Sequence, residues 1–373
     1  MTTSSTPAEA RAGAILTIDL DAVAANYRLL SERVAPAECA AVLKADAYGL
    51  GMVQVAPALS AAGARTFFVA HLEEGITLRA LLPEATIGIL NGLMPGCAAD
   101  YAQHRLAPVL NHAGAIAEWA AFCRQQQKRL PAFVHIDTGM NRLGLGPAEV
   151  AALIADPSPL GDLELLGYLS HLATADEVDS PLPGVQRDRF RSALDRLPPA
   201  RASLANSSGI FRGAQFHFDL ARPGCALYGI NPTPETGNPM ARTVRLDARV
   251  LQVRHIDSTG TVGYGATHPV SPGTRIATIA VGYADGYLRS LSGAGSVWFG
   301  EQEAPVIGRV SMDLITVDIT RLPEGAVHPG TLAEVIGPHR TPDQVASEAG
   351  TIGYEILTSL GRRYARRHVG GPQ

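Results

Sequence analysis

The feature that most constrains the fold is a series of short apolar runs separated by helix-like stretches. Eight such runs precede residue 223, namely AAVLK (40–44), TFFVA (66–70), TIGIL (86–90), APVLN (107–111), AFVHID (132–137), ELLGYLSH (164–171), RASLAN (201–206) and HFDLAR (217–222). Strands that alternate with helices form a parallel sheet, and eight units match a (β/α)8 barrel, whose active sites lie at the C-terminal ends of the strands. We therefore predict an α/β fold that begins with a TIM-like barrel; a doubly wound sheet is the alternative.

The pattern changes after about residue 240, where apolar runs follow one another with Gly/Pro turns and without intervening helices. TVRLDARVLQVRHI (243–256) and GTRIATIAVGY (273–283) are examples. This pattern predicts a second, mainly antiparallel β domain, with the seam at NPTPETGNP (231–239). The predicted division is a flexible N-terminal arm over 1–14, a barrel over 15–238 and a β domain over 239–373.

Composition excludes several classes of protein. Hydrophobic residues make up 46% and charged residues 18% of the chain, which is typical of a globular protein. The net charge of −4 gives no electrostatic footprint for nucleic acid or a membrane surface. The four cysteines form no CxxC pair and no metal-ligand spacing, and the N-terminus lacks the pattern of a secretory signal. We expect a cytoplasmic enzyme or binding protein with reduced thiols and no metal.

Lys44, at the end of the first apolar run, is one of only two lysines; the other is Lys128, and 29 of the 31 basic residues are arginines. A guanidinium cannot be deprotonated, so an arginine can be neither a Schiff-base nucleophile nor a proton acceptor, whereas lysine can be both. The alternative interpretation is a strand-end lysine whose stem covers apolar surface.

Other polar residues share the end of the predicted barrel at which Lys44 lies. DTGMNRLG (137–144) follows the fifth strand, His171 closes the sixth, ANSSG (205–209) follows the seventh and RPGCALYG (222–229) begins at the end of the eighth. Small hydroxyl and glycine residues let backbone N–H groups approach a phosphate, and phosphate sites of barrels recur after strands seven and eight. A lysine and a phosphate cradle in one barrel mouth predict pyridoxal phosphate as the cofactor.

These segments carry a resemblance to a known family. In order along the chain, AVLKADAYGLG (41–51), HIDTGMNRLG (135–144), SHLATAD (170–176), LANSSG (204–209), LARPGCALYG (220–229), VGYGATH (262–268), VGYADGY (281–287) and GRVSMD (308–313) resemble bacterial alanine racemases. The resemblance implies a fold-type III pyridoxal-phosphate enzyme that supplies D-alanine for peptidoglycan. It also implies a head-to-tail homodimer in which the β domain of one subunit completes the site of the other.

The resemblance also implies roles for individual residues. Lys44 matches the lysine that binds the cofactor and acts as the base for the D enantiomer. Tyr264 matches the tyrosine that reaches the opposite face from the partner subunit and acts on the L enantiomer. Arg142 and the backbone N–H of Met312 match the groups that bind the substrate carboxylate.

The remaining matches concern the cofactor. Arg222 matches the arginine that faces the pyridine nitrogen and keeps it unprotonated, and His171 would orient this arginine. The phosphate contacts are matched by Tyr48, Asn206, Ser207, Gly224 and Cys225, the last two through backbone N–H groups.

Two departures from the family pattern affect this transfer. His135 stands where many relatives have a carbamylated lysine, so the bracing of Arg142 must differ. Either a bound anion or a carboxylate such as Asp137 replaces it, which we expect, or Arg142 is held more loosely. Near the C-terminus, Arg362, with Tyr364 nearby, stands where the pattern often has a tyrosine that contacts the phosphate.

Two other functions compete with alanine racemisation. The first is another chemistry on this fold, either a broad-specificity racemase or an amino-acid decarboxylase. Decarboxylases of this kind usually pair the pyridine nitrogen with an acid, so Arg222 argues against them. The second is a non-catalytic pyridoxal-phosphate carrier that resembles the barrel alone, and the β domain argues against it.

Overall fold

The computed structural model describes residues 7–372. The strands in this range are β1 Ala14–Asp19, β2 Glu38–Cys39, β3 Ala41–Val42, β4 Thr66–Val69, β5 Thr86–Ile89, β6 Ala107–Leu110, β7 Pro131–His135, β8 Glu164–Leu169, β9 Ala202–Ser203, β10 Leu220–Ala221, β11 Val244–His255, β12 Gly260–Val262, β13 His268–Val270, β14 Arg275–Ile279, β15 Ser296–Phe299, β16 Gln302–Ile307, β17 Ile315–Asp318, β18 Leu332–Ile336 and β19 Ala365–Val369.

The helical segments are α1 Pro7–Arg11, α2 Leu20–Val34, α3 Lys44–Tyr48, α4 Met52–Ala61, α5 Leu72–Leu81, α6 Ala98–Gln103, α7 Ala113–Gln125, α8 Pro147–Ala155, α9 Ser158–Gly161, α10 Leu182–Leu194, α11 Ser207–Phe211, α12 Pro342–Ala349 and α13 Gly353–Ser359. Short 3-10 helices lie at Ala214–Phe216, Cys225–Tyr228, Tyr264–Ala266, Tyr283–Asp285 and Arg289–Leu291. Among residues 7–372, no helix combines the length and apolar character needed to cross a membrane.

The first compact unit, residues 23–241, is a closed parallel barrel. Strands β3 to β9 pair in chain order, and all six pairings are parallel. Strands β2 and β3 are two halves of one strand interrupted at Ala40, whose N–H donates to the Ala221 carbonyl at 2.9 Å. The ring closes because Arg222 N–H donates to the Ala205 carbonyl at 2.9 Å, which joins β10 to the segment after β9. The predicted barrel is confirmed.

Aromatic side chains fill part of the barrel interior. Phe68 and Phe133 lie on the parallel strands β4 and β7 with ring centroids 5.3 Å apart, and both are fully buried. Gly88 on β5 makes room for them, because a Cβ atom there would lie 2.4 Å from the Phe68 ring. The predicted helix-like stretches form α4, α5 and α7 on the connections between these strands.

The second compact unit joins the start of the chain to residues 242–371. Strands β14, β17, β16, β15, β18 and β11 pair successively, and an additional β14–β11 pairing closes this sheet into a second ring. All of these pairings are antiparallel, which confirms the expected β domain. Strand β1 lies antiparallel to β11, and β19 lies parallel to β1.

The structure divides the chain differently from the predicted boundaries. Strand β1 was expected in the barrel, but it belongs to the β unit because Ala14 to Ile18 face residues 248 to 244 of β11. The other boundary falls between Ala241 and Arg242, against the predicted 238/239. Part of the predicted flexible arm is helical, and Arg249 donates to the carbonyls of Glu9 and Ala12 at 2.9 and 3.0 Å. Residues 1–6 of that arm lie outside the described residues.

Candidate active site

Lys44 begins a left-handed turn directly after β3. Ala45, Asp46, Ala47 and Tyr48 all have φ of 55°, a conformation that costs an L residue roughly 1–2 kcal/mol. The turn is closed by internal hydrogen bonds, such as Gly49 N–H to the Ala45 carbonyl at 2.8 Å. Non-glycine residues remain in this region only where surrounding contacts hold them. The turn therefore places Lys44 and Tyr48, four positions apart, in a geometry that a right-handed helix would not give.

The Tyr48 side chain leads to a cradle of small residues. Its ring is buried and stacks on Tyr228 at 4.7 Å between centroids. Its hydroxyl lies over Gly224, where a Cβ atom would be 2.2 Å from the hydroxyl oxygen. Ser207 Oγ accepts the N–H groups of Gly224 and Ala226 at 3.0 and 3.2 Å, which joins the segments after β9 and β10. The predicted phosphate residues on these segments are therefore brought together.

Two other predicted phosphate residues lie beside this cradle. The Asn206 side-chain oxygen accepts the Gly209 N–H at 2.9 Å and so caps α11. Cys225 begins the 3-10 helix that follows Gly224. The tight approach of Tyr48 to a glycine, together with hydroxyl and amide groups and a lysine, fits a phosphorylated cofactor.

Arg222, at the end of β10, is a buried cation held by neutral oxygens. It is 6% exposed and donates to Ser203 Oγ and, at 2.6 Å, to the Ser170 carbonyl. Burial lowers the pKa of Arg222 to about 10, so the guanidinium stays charged at neutral pH. The structure assigns the orientation of Arg222 to Ser170 and Ser203; the predicted role of His171 in orienting it stays a prediction.

Several positively charged side chains at the barrel mouth lower the pKa values of their neighbours. Burial and the nearby Arg142 lower the pKa of Lys44 below its usual value. Burial, followed by Arg222, Arg142 and Lys44, holds the pKa of His171 well below its usual value. The structure thus brings Lys44, Arg142, His171 and Arg222 close enough for their charges to interact, and the histidine is neutral at pH 7.

Arg142 lies in the loop after β7, and Asp137 shapes this loop. The Asp137 carboxylate accepts the N–H groups of Gly139, Met140 and Asn141, each at 2.9 Å. Among residues 7–372, Arg142 forms no ion pair within 4.0 Å. The suggestion that Asp137 braces Arg142 is not supported, because its carboxylate is bonded to the loop backbone.

His135, at the end of β7, has a defined partner that sequence reasoning missed. Its Nδ1 lies 2.8 Å from Asn111 Oδ1, and the amide nitrogen of Asn111 donates to the Leu90 carbonyl at 3.1 Å. With the amide so oriented, Nδ1 of His135 donates and Nε2 keeps its lone pair. Burial and the charge of Arg222 lower the pKa of His135 to about 4. A neutral imidazole whose Nε2 can accept a hydrogen bond therefore stands at the end of β7.

The two remaining predicted residues lie in the β unit. Tyr264 is 70% exposed, in a turn between β12 and β13 in which Gly263 and Gly265 have φ of 77° and 74°. This turn packs against residues 308 and 309, and Met312, 53% exposed, follows three residues later. The Met312 carbonyl accepts the Ala284 N–H at 2.9 Å. The structure therefore brings the segments that carry Tyr264 and Met312 together.

Tyr364, which lies near Arg362 in the C-terminal departure from the family pattern, is bonded within the β unit. Tyr364 is buried, and its hydroxyl donates to the Asp285 carbonyl at 2.6 Å within the β unit. Neighbouring Arg363 forms ion pairs with Asp285 and Asp313, which follows Met312. The Tyr364 hydroxyl is therefore committed to the fold of its own unit.

A parallel barrel whose mouth holds a lysine of lowered pKa beside a cradle for phosphate defines a class, the barrel enzymes that attach a phosphorylated cofactor to lysine. No group of three or more His, Cys, Asp or Glu side chains in residues 7–372 is arranged to hold a metal ion. Two family models match, the N-terminal domain of alanine racemase over residues 18–232 and its C-terminal domain over residues 243–368. The chain belongs to the alanine racemase family.

Individual relatives agree along the whole chain. The chain is 49% identical to an alanine racemase of Rhodospirillum rubrum over 364 residues, which is 97% of each protein. It is 48% identical to that of Brucella abortus over 372 residues, covering 96% of this chain and 94% of the relative. The crystal structure of the Bartonella henselae alanine racemase with covalently bound pyridoxal phosphate superimposes with a TM-score of 0.93 at 44% identity, covering 96% of this chain and all of that one.

Proposed function

We propose that this protein is an alanine racemase that uses pyridoxal phosphate bound to Lys44. The observation that carries the proposal is a lysine of lowered pKa at the start of the turn that also places the Tyr48 hydroxyl over the Gly224 cradle. When bound, pyridoxal phosphate supplies an aldehyde that bonds to the amino nitrogen of alanine and a conjugated ring that delocalises the charge left when the α-proton departs.

Racemisation needs two proton carriers on opposite faces of the α-carbon. Lys44 holds the proton on the face of the D enantiomer, and its lowered pKa favours the neutral amine that accepts a proton. Tyr264 from the partner subunit holds the proton on the face of the L enantiomer. Arg142 and the Met312 backbone N–H of the partner bind the carboxylate.

Arg222 restricts the reaction to racemisation. It can donate hydrogen bonds but cannot protonate the ring nitrogen, because its guanidinium keeps its protons at neutral pH. With Arg222 in this position, bound cofactor would withdraw less charge from the α-carbon, which would favour return of a proton over side reactions. His171 lies beside this arginine and is neutral because its pKa is held low by burial and by the cation.

We further propose a head-to-tail homodimer and a cytoplasmic location, with D-alanine delivered to peptidoglycan. The exposed side chains of Tyr264 and Met312 support the dimer, since each is available to another chain. The four free cysteines support a reducing compartment.

Turnover of purified protein is the direct test. Chiral chromatography of incubations with L-alanine and D-alanine should give the other enantiomer in each case. Serine, lysine and arginine in parallel incubations test a broader racemase, and release of carbon dioxide tests a decarboxylase. Cofactor binding without any turnover would indicate a carrier protein and refute the proposal.

Two labelling experiments test the assigned bases. Borohydride reduction should attach the pyridoxyl group to Lys44, and attachment to Lys128 would refute that assignment. Tyr264→Phe should lose α-proton exchange with L-alanine while still binding the cofactor.

Mixing chains tests the shared site. Dimers that combine Lys44→Ala and Tyr264→Phe chains should regain activity at one of two sites, because each site takes these residues from different subunits. No recovery would indicate a site within one chain.

A further inference from the structure

Glu74 links the start of α5 to the backbone that follows Lys44. One carboxylate oxygen, Oε2, accepts the N–H groups of Ala70 and His71 at 2.8 and 3.0 Å. The other oxygen, Oε1, accepts the N–H of Ala45 at 2.6 Å. The bond from His71, the N-cap residue, belongs to the capping box of α5, and the bond from Ala70 lies one residue before it. The third is not needed for capping, because it crosses to a residue 29 positions earlier in the chain.

The Ala45 N–H is the first amide of the left-handed turn. The opening N–H groups of any helical turn have no partner inside it, so an external acceptor is needed. The turn is unfavourable for each of its four residues with φ of 55°. Its far end is held by Asp46, whose Oδ1 accepts the Met52 N–H at 2.7 Å, and by the stacking of Tyr48 on Tyr228. At the first residue of the turn, Ala45, the side-chain acceptor is Glu74.

We propose that Glu74 is a positioning residue that, by accepting the Ala45 N–H, holds Lys44 and Tyr48 at the spacing a single cofactor molecule requires. This inference rests on the proposed function, because it assumes that Lys44 bonds to the cofactor and that Tyr48 contacts its phosphate. A charged acceptor suits the role, since a hydrogen bond to a charged group is stronger than a neutral one. Glu74 also acts electrostatically on Lys44, opposing the effects of burial and Arg142 on its pKa.

The chain offers a matched control for this role. Glu149 has the same pattern at α8: its Oε2 accepts the Gly146 N–H at 3.1 Å in a capping box, and its Oε1 accepts the N–H of Ala113 on another loop at 2.8 Å. Both glutamates are half-buried. Glu149→Ala therefore removes one capping bond and one bond to another loop, against three backbone bonds lost in Glu74→Ala, without touching the turn that carries Lys44.

The experiment measures cofactor binding by the apo forms of the wild type, Glu74→Ala, Glu74→Gln and Glu149→Ala. Dissociation constants come from absorbance titration with pyridoxal phosphate, and the fraction attached to Lys44 comes from borohydride trapping and peptide mass. Loss of a hydrogen bond to a charged acceptor predicts roughly tenfold to hundredfold weaker binding for Glu74→Ala. Glu149→Ala should stay within about twofold of the wild type, since its bonds lie elsewhere. Glu74→Gln, whose amide oxygen can still accept the Ala45 N–H, should recover part of the loss.

Each outcome decides between positioning and simple capping. Wild-type affinity in Glu74→Ala, equal losses in the two alanine variants, or a glutamine variant as weak as the alanine variant would overturn the inference. Should Glu74→Ala not fold, Glu74→Asp replaces it with the same expectation, because its side chain is one methylene too short to reach Ala45. If the wild type itself is not trapped at Lys44, the proposed function fails instead, so the two failures are distinguishable.

Discussion

Replacing Ala45 by glycine should stabilise the protein, although glycine usually weakens a helical segment. Ala45 has φ of 55° and ψ of 47°, it is exposed, and its N–H bond to Glu74 does not depend on its methyl group. Relief of the left-handed conformation is worth about 1–2 kcal/mol. The extra chain entropy of glycine in the unfolded state costs about 0.5–1 kcal/mol. The net expectation is a gain of about 0 to 1.5 kcal/mol in the free energy of unfolding.

Ala25 provides the matched control, because it is also exposed and lies in the middle of the right-handed helix α2. Ala25→Gly should lower the free energy of unfolding by about 1 kcal/mol. The two variants are compared by urea unfolding followed by circular dichroism, at one saturating cofactor concentration because a bound ligand adds to apparent stability. A loss in Ala45→Gly equal to that in Ala25→Gly would refute the strained, left-handed turn.

Three further predictions use other parts of the structure. Gly224→Ala should weaken binding of pyridoxal phosphate at least roughly tenfold in absorbance titrations. The added Cβ atom would lie 2.2 Å from the Tyr48 hydroxyl oxygen and would force the hydroxyl to move. His135→Lys should acquire a carbamate, seen as the added mass of carbon dioxide, and activity that depends on bicarbonate, whereas the wild type shows neither. Burial lowers the pKa of His339, but two adjacent carboxylates raise it by a larger amount, so the pKa is raised overall. A histidine whose pKa is raised in the folded state stabilises the fold below about pH 6.5, and this stabilisation is lost as the pH rises through the folded pKa. The difference in Tm between wild type and His339→Gln should therefore shrink from pH 5.5 to about pH 9.

The barrel could be predicted because most residues of its strands are buried and the strands are bounded by turns, which leaves a local pattern in the sequence. The first strand could not be assigned in the same way. Strand β1 is as apolar as a barrel strand, but its partners β11 and β19 lie more than 200 residues away, and no local pattern reveals them. The prediction of a flexible arm was wrong from residue 7 onward for the same reason, since Arg249 holds this helical part.

Site residues could be predicted where the chemistry requires a particular residue type. The local geometry of the site could not be predicted where it depends on the backbone conformation. The contrast of two lysines with 29 arginines drew attention to Lys44. Nothing in KADAY indicates a left-handed turn, because alanine and lysine favour right-handed helices; only tertiary bonds such as that of Glu74 impose it. The pairing of His135 with Asn111 joins residues 24 positions apart at the ends of the neighbouring strands β7 and β6, so it emerges only from the folded barrel.

The choice of partners for Arg222 explains how the barrel mouth keeps its positive charge. It donates hydrogen bonds to a serine hydroxyl and to a backbone carbonyl, both of them neutral, although a buried guanidinium would bind a carboxylate more strongly. A carboxylate beside Arg222 would cancel its charge and offer the cofactor nitrogen a proton. The carboxylates of Asp137 and Glu74 are instead bonded to backbone N–H groups. Arg142 and Arg222 therefore keep their positive charges, which suits a substrate carboxylate and an unprotonated ring nitrogen together.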